Sequence, residues 1–464
     1  MTHDQPHEPL WRWAEACRAL DLAETSGPDI HGVSIDSRSL AQGDLFVALS
    51  GDPGPRFNTG HRTDRDGHDY VGDAARRGAA GALVHRHLDL DLPQLQVADT
   101  LDGLWALGRT GRSRFQGRVF GLTGSSGKTT VKAYLAAALG CPAAQGSLNN
   151  FWGVPLSLAR TPAAAGAAVF EVGTNHPGEI APLSRLVRPD VALVLNVLPA
   201  HLANFPSLAA LRQEKLSMAE GIVPGGRLVL AEDLLPHAPV DASAVVSFGT
   251  GKRADVQLLS YDPKDQQASF RIRNRTLAAY VPGGGEHRAQ SLAATMACLL
   301  AADFDPALAC NLDESCLPSG RGRTLLAAGV QIIDDSYNAN PVSMAKALQE
   351  LRAASGTGRR FAILGEMLEL GDASGGYHAG LAPDCAGLDG VWCVGPGMRS
   401  LHEALPDAER RGYAETQAEL DLSSIAAELQ PGDQVLVKGS NLVFWASGFV
   451  QRLVQVLNGA GPQP

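Results

Sequence analysis

Cysteine is scarce and never paired: seven stand singly along 464 residues, with no Cys-x-x-Cys spacing. That pattern excludes a disulfide-stapled or thiolate–zinc scaffold and predicts reduced thiols. A basic surplus is also missing, because 39 Lys and Arg face 49 Asp and Glu, for a formal net charge of −10. Non-specific binding to nucleic acid or to an anionic membrane is therefore not expected. A small anionic ligand stays open, since local lysines and helix termini can still hold one. No apolar run approaches the ~20 residues that span a bilayer. The first residues, MTHDQPHEPLWRW, lack the basic and apolar regions of a secretory signal, so a cytoplasmic location without an integral membrane segment is expected. Low-complexity tracts and internal repeats are absent. What remains is a chain with 45% apolar residues, able to bury proper cores and long enough for two or three domains.

Residues 1–113 carry a small α/β pattern, with an alternating strand from Val33 and a second over 45–49. The Gly/Pro/Arg/Asp-rich stretch 52–67 reads as a surface loop. From Gly117 strands and helices alternate, with strands at 169–172 and 191–197, which predicts a mostly parallel sheet covered on both faces. A β-like stretch over 256–281 precedes an Ala/Leu-rich helix near 289–302. Pro318-Ser319-Gly320 reads as a linker. Strand-like runs then recur at 330–333, 361–364, 391–394 and 435–437 with helices between, a second α/β unit. The expected domains are 1–113, 114–318 and 319–464.

The most informative segment is Gly121–Thr130, GLTGSSGKTT, after the apolar Val119-Phe120 and before a helix with apolar residues at Val131, Tyr134, Leu135 and Leu139. A strand, a glycine loop and a helix N-terminus make a phosphate cradle. Lys128 can neutralise a transferring phosphoryl group, and the Thr129 hydroxyl can hold Mg²⁺. The spacing is G-x-x-G-K-T-T rather than G-x4-G-K-T, and a plain glycine-rich turn is the competing reading. Glu171 ends the apolar run 167–170, where a carboxylate can serve a divalent cation or be structural. Asn196 and His201 follow the strand at 191–195, where a lone histidine is usually a hydrogen-bonded structural residue. Asp334-Asp335-Ser336-Tyr337-Asn338-Ala339-Asn340-Pro341 suits ribose, base or amine recognition at a strand's carboxyl end, or an Asp/Asn turn capping the next helix.

Together these segments resemble the ATP-dependent Mur ligases from about Ser34 to Ser440. The resemblance rests on SIDSRSLAQGDLFVAL, GLTGSSGKTT, SLNNFWGVPLSLA, FEVGTNHPGEIAPL, VLNVLPAHLANF, GRGRTLLAAGVQIIDDSYNANPVSM, AILGEMLELGDAS and VLVKGS. NHPGEI and DDSYNANPVSM are similar to the member that joins a UDP-N-acetylmuramoyl-tripeptide to D-alanyl-D-alanine. The resemblance implies a three-domain α/β architecture: an N-terminal UDP-substrate module, a central P-loop-type parallel sheet, and a Rossmann-like C-terminal domain that closes over the site about Pro318–Gly320. It implies a monomer. It also implies that Gly124, Ser125, Ser126, Gly127, Lys128, Thr129 and Thr130 bind ATP phosphates, with Asn149 and Asn150 nearby. Thr129, Glu171 and His201 would sit on one or two Mg²⁺ ions, and Lys215 would be carbamoylated. Lys128, Lys215 and His201 would carry the catalysis. His287, Arg321, Asp335, Asn338 and Asn340 would serve ATP, and Ser37 and Arg38 the uridine diphosphate. The implied chemistry is acyl-phosphate formation followed by attack of an amine.

Three departures stand beside the resemblance. In GEHRAQS, Arg288 and Ser291 occupy the two asparagine positions of the family's G-x-H-N-x-x-N. Arg offers only donors where an amide offers a donor and an acceptor, although its planar guanidinium can stack on a base. Asn441 stands where the family's K-G-S-R has arginine, and Leu442-Val443-Phe444-Trp445 is unusually apolar, suited to the core or to a reshaped cleft. The stretch 52–67 reads as an insertion. These leave open a paralogue that ligates another acid and amine, and a non-catalytic nucleotide-sugar scaffold.

Overall fold

The computed structural model describes residues 8–51, 65–144, 146, 148–198, 204–354, 356–368 and 370–459. The chain forms two compact units, one of residues 1–197, 209–247 and 297–305, the other of 198–208, 248–296 and 306–464.

The first unit opens with a four-stranded parallel sheet in the order β1 (Gly32–Ser34), β2 (Asp44–Val47), β3 (Gly81–Val84), β4 (Gln94–Gln96). Strand β1 ends at Ser34, because Asp36 folds its carboxylate onto the Arg38 backbone N–H and makes a turn of the remaining residues. Trp11, Trp13, Leu45, Val47, Leu83 and Leu104 fill the core beneath. Helix Thr100–Arg114 starts at Asp99, whose side chain accepts the N–H groups of Leu101 and Asp102. It lies close on helix Gly153–Ala159: a Cβ on Gly111 would stand 2.5 Å from the Leu158 carbonyl oxygen, so only glycine fits there.

The second sheet of this unit runs β8 (Arg227–Ala231), β7 (Val191–Val194), β5 (Arg118–Thr123), β6 (Ala167–Glu171), all parallel. Its strands are apolar on both faces, as a covered parallel sheet requires. The chain leaves β5 for β6 on one side, then crosses back to β7 on the other. The carboxyl end of β5 is thus a topological switch point, where open α/β sheets form a crevice.

Strand β9 (Val245–Gly249) leads into the second unit, where Phe248 and Gly249 pair in parallel with β10 (Val256–Asp262). β10, β11 (Gln267–Ile272) and β12 (Arg275–Tyr280) form an antiparallel meander. The remaining sheet is ordered β13 (Arg323–Ala327), β14 (Val330–Asp335), β18 (Gln434–Lys438), β15 (Arg360–Gly365), β16 (Gly390–Val394), β17 (Arg410–Ala414). Only the edge strand β13 is antiparallel to its neighbour. One face carries the Met344, Leu348 and Leu351 side of helix Pro341–Ala353, the other Phe449, Val450 and Leu453 of helix Phe449–Leu457. Pro318–Gly320 forms a turn within this unit, with the Gly320 N–H held by the buried Asp334 carboxylate at 3.0 Å. Among the described residues no helix is long and apolar enough to cross a membrane.

Candidate functional site

Gly124–Thr130 lies at the β5 switch point. Gly127, at φ +78, turns the loop into helix Lys128–Leu139, which takes no side-chain cap at its N-terminus. Val131, Tyr134 and Leu135 are fully buried and seat this helix, while Leu139 is half-buried. The Ser125 and Ser126 N–H groups each donate to Asn196 Oδ1 at 3.0 Å. Lys128 Nζ donates to the Gly124 carbonyl at 2.7 Å, folding over the loop. A helix N-terminus and a lysine therefore meet in one loop, as an anionic phosphate needs, with the Ser125 and Ser126 N–H groups held by Asn196.

Glu171 ends β6 beside this loop and is 2% exposed. Its carboxylate accepts the Thr129 hydroxyl at 2.9 Å and the Asn149 amide at 2.8 Å. Lys132 Nζ stands 3.7 Å from the same carboxylate. Asn149 is fixed from behind, its carbonyl accepting the Gly173 N–H, while Asn150 Oδ1 accepts the Gly153 N–H at the start of the next helix. A buried hydroxyl and carboxylate oxygen this close form a hard-oxygen pair that fits Mg²⁺.

Lys215, on helix Leu208–Leu216, is also buried. Burial and the neighbouring Lys128 cation push its amine down to about 7, against an opposing pull from Glu214. Glu214 carboxylate oxygens accept the Gly178 and Ile180 N–H groups at 2.7 and 2.8 Å. The segment NHPGEI thereby anchors the helix that presents Lys215, and its own Glu179 closes the turn by accepting the Asn175 and His176 N–H groups. His201 lies outside the described residues.

The second unit gathers its polar residues at the carboxyl ends of β14 and β18. Lys438, almost fully buried, pairs with Asp335 at 2.5 Å and donates to the Asn338 carbonyl. Burial alone would raise the Asp335 carboxyl, but Lys438 and Arg288 hold it below the usual carboxylate range. Asn340 Oδ1 accepts the Ser343 N–H in a reciprocal cap of helix Pro341–Ala353. Its side chain is engaged in the capping alternative. The Arg321 guanidinium lies 4.0 Å over the Tyr337 ring, and Trp445 meets that ring edge-on at 5.0 Å. The apolar run after Ser440 divides accordingly: Phe444 enters the core and Leu442 stays exposed.

His287 Nδ1 lies 2.7 Å from Glu350 Oε1. Desolvation and the Arg288 cation hold the imidazole below its ordinary value. Arg288 itself is committed to backbone, donating to the carbonyls of Gly283 at 2.7 Å, Gly284 at 3.2 Å and Arg321 at 3.3 Å. The guanidinium that the sequence offered to a base is instead a buried strap between two turns. Arg288→Ala is expected to destabilise the protein by about 2–3 kcal/mol, because charge-assisted bonds are lost and buried carbonyls are orphaned. Chemical denaturation tests this, and a stability equal to that of the parent would refute the strap.

In the turn after β1, Ser37 is buried and Arg38 is exposed, its guanidinium forked on Asp36. Asp66, His68 and His85 bring potential ligand atoms within 4.8 Å of one another. However, His68 Nε2 accepts the His85 N–H at 3.0 Å, and His68 Nδ1 lies 2.7 Å from Asp66. Arg86 Nη1 sits 2.6 Å from Asp66 and 3.2 Å from His85 Nε2. The positive charge there is the guanidinium, so the cluster is complete as a structural knot.

Sequence reasoning missed Glu214 and Lys132. Each bonds to residues distant from it in the chain, and no local motif marks either one.

The fold and this site define a nucleotide-dependent ligase, and the sequence comparisons agree. The Mur ligase middle domain matches residues 122–299, and the Mur ligase glutamate ligase domain matches 320–441. The chain belongs to the Mur ligase family. It is 34% identical over 455 residues to the UDP-N-acetylmuramoyl-tripeptide–D-alanyl-D-alanine ligase of Escherichia coli strain K12, covering 94% of this chain and 96% of that one. The Bacillus subtilis strain 168 enzyme of the same name is 31% identical, with 89% and 90% covered. Among solved structures, MurF from Acinetobacter baumannii superposes with a TM-score of 0.82 at 29% identity, covering 96% and 99%. A MurF ligase from Thermotoga maritima in complex with ADP gives 0.73 at 26% identity, covering 92% and 97%.

Proposed function

We propose that the chain joins D-alanyl-D-alanine to a UDP-N-acetylmuramoyl-tripeptide at the expense of ATP, a step in peptidoglycan precursor synthesis. The observation that carries this reading is the cluster of Lys128, Thr129, Glu171 and Lys215 around the loop at the β5 switch point. A carboxylate resists an amine because it is anionic and has no good leaving group. Attack of its oxygen on the γ-phosphorus of ATP forms an acyl phosphate and breaks the bond to ADP. The amine then adds to the acyl carbon, its proton departs, and phosphate leaves as the amide forms.

The protein's part is to position and neutralise. Lys128 and the N-terminus of its helix would hold the phosphates. Thr129 and Glu171 would hold Mg²⁺, which supplies charge neutralisation at the phosphoryl oxygens. Lys215, with its amine near 7, is substantially neutral at physiological pH. A neutral amine is the form that adds CO₂ to give a carbamate, an anion suited to orienting a cation. His201 completes the proposed cation set on the resemblance. In the second unit His287, Arg321, Asp335, Asn338 and Asn340 are the proposed nucleotide-facing residues. Ser37 and Arg38 are proposed for the uridine diphosphate. Since ATP and a UDP-sugar are the reactants, we place the enzyme in the cytoplasm, and on the resemblance we take it as a monomer.

ADP release measured with the UDP-muramoyl tripeptide, with and without D-alanyl-D-alanine, tests this. Turnover that needs both substrates is expected. Asn441 in place of a fixed cation favours one competitor, a ligase for another acid and amine. ADP release that responds only to a different pair would establish that competitor instead. Binding of nucleotide without any release would leave a scaffold.

A further inference from the structure

Lys132 is a buried cation that the proposed chemistry does not use. It sits one turn beyond Thr129 on the same face of helix Lys128–Leu139 and is 3% exposed. Its Nζ donates to the carbonyls of Ala144 at 2.8 Å and Gly146 at 2.6 Å, on the segment that leads into Asn149. The same nitrogen lies 3.7 Å from Glu171 Oε2, the oxygen that also accepts the Thr129 hydroxyl. A buried ammonium is tolerated only where acceptors and a counter-charge meet it, and here both belong to the phosphate-loop site.

We propose that Lys132 is a positioning residue that sets the divalent-cation affinity of this site. Two consequences follow from one atom. Its hydrogen bonds hold the backbone at Ala144 and Gly146, ahead of the Asn149 whose amide reaches Glu171 Oε1. Its charge offsets the Glu171 carboxylate and opposes any cation placed against that oxygen. This inference rests on Glu171 being a cation ligand.

The test is equilibrium Mn²⁺ binding followed by electron paramagnetic resonance in the presence of a non-hydrolysable ATP analogue. Parent protein, Lys132→Gln, Lys132→Met, Lys132→Arg and Glu171→Gln are compared. Lys132→Gln keeps a donor for the two carbonyls without the charge, so its fold is the better protected. Removing a unit charge this close is expected to tighten Mn²⁺ by at least ~5-fold in both the Gln and Met variants. Lys132→Arg should stay within about 2-fold of the parent, because the charge is retained. A lysine that merely staples the loop would leave Mn²⁺ affinity unchanged or weaker in the Gln variant while lowering stability, and that result overturns the proposal. Tightening in Lys132→Arg equal to that in Lys132→Gln overturns it too, since charge would not be the cause. If Glu171→Gln binds Mn²⁺ as the parent does, the assignment of Glu171 fails along with the inference. Loss of binding in Glu171→Gln with unchanged binding in Lys132→Gln removes the inference alone.

Discussion

Lys128→Ala is expected to lower ADP release by at least ~10²–10³-fold while leaving the protein folded. Loss of one preorganised donor or charge aimed at a transition state typically costs about 3–4 kcal/mol. The expected effect falls on turnover because phosphoryl transfer leaves the protein little covalent work beyond positioning and neutralisation. The fold should survive, since helix Lys128–Leu139 is seated by Val131, Tyr134 and Leu135 rather than by its first residue. Its second readout is independent of turnover. Lys128 is one of the causes that hold the Lys215 amine low, so its removal should let Lys215 titrate higher. Circular dichroism unchanged and ADP release abolished is the expected pair of results. Parent-level turnover would remove the loop at Gly124–Thr130 from the chemistry.

The legible parts of this molecule are those whose causes are local. The loop after β5 could be read because a glycine-rich turn, a lysine and a helix start are contiguous in the chain. Glu171 could be placed because an apolar run ending in a carboxylate is itself a strand-end signal. Strands β15, β16 and β18 are legible as apolar runs, since each is covered on both faces, and the short run 330–333 marks β14 although Gln331 is exposed. β13 and β17 were not, because edge strands with polar residues such as Arg323 and Arg410 carry no such run. β1 was expected to extend past Ser34, and the Asp36 turn ends it early.

Arg288 shows the limit most clearly. Its chemistry suggested stacking on a base, but its acceptors include the Arg321 carbonyl, 33 residues further along the chain. Glu214 is a similar case: it binds the Gly178 and Ile180 N–H groups, more than thirty residues earlier. The motif NHPGEI was recognised as specific, yet the part it plays in holding the Lys215 helix came only from the fold. Asn340 was read in two ways, and the Ser343 N–H occupies its side-chain oxygen as a helix cap.

Lys215→Met should remove activity and, at neutral pH and below, raise stability. In the folded protein the Lys215 amine titrates at about 7, against 10.5 for an ordinary lysine. Below pH 7 both folded and unfolded chains carry the proton, and the folded chain bears the whole cost of burying it. Between about 7 and 10.5 the unfolded chain still binds a proton that the folded chain has shed, so stability rises with pH across that window. Methionine keeps the stem and removes the charge. Its advantage should therefore be largest below pH 7 and fade toward pH 10.5, at roughly 1.4 kcal/mol for each unit of displacement.

Unfolding midpoints of parent and variant in CO₂-free buffer at pH 6, 8 and 10 measure this directly. A difference that does not change with pH would mean that the Lys215 amine is not displaced. Added bicarbonate supplies the second arm. At pH 8 the neutral amine dominates, so bicarbonate should raise the parent's turnover and shift its unfolding midpoint, with no response from Lys215→Met. A parent that ignores bicarbonate while keeping the pH-dependent difference would retain a buried neutral lysine and lose the carbamate. Activity should also fall as pH drops through about 7, since the protonated amine cannot add CO₂.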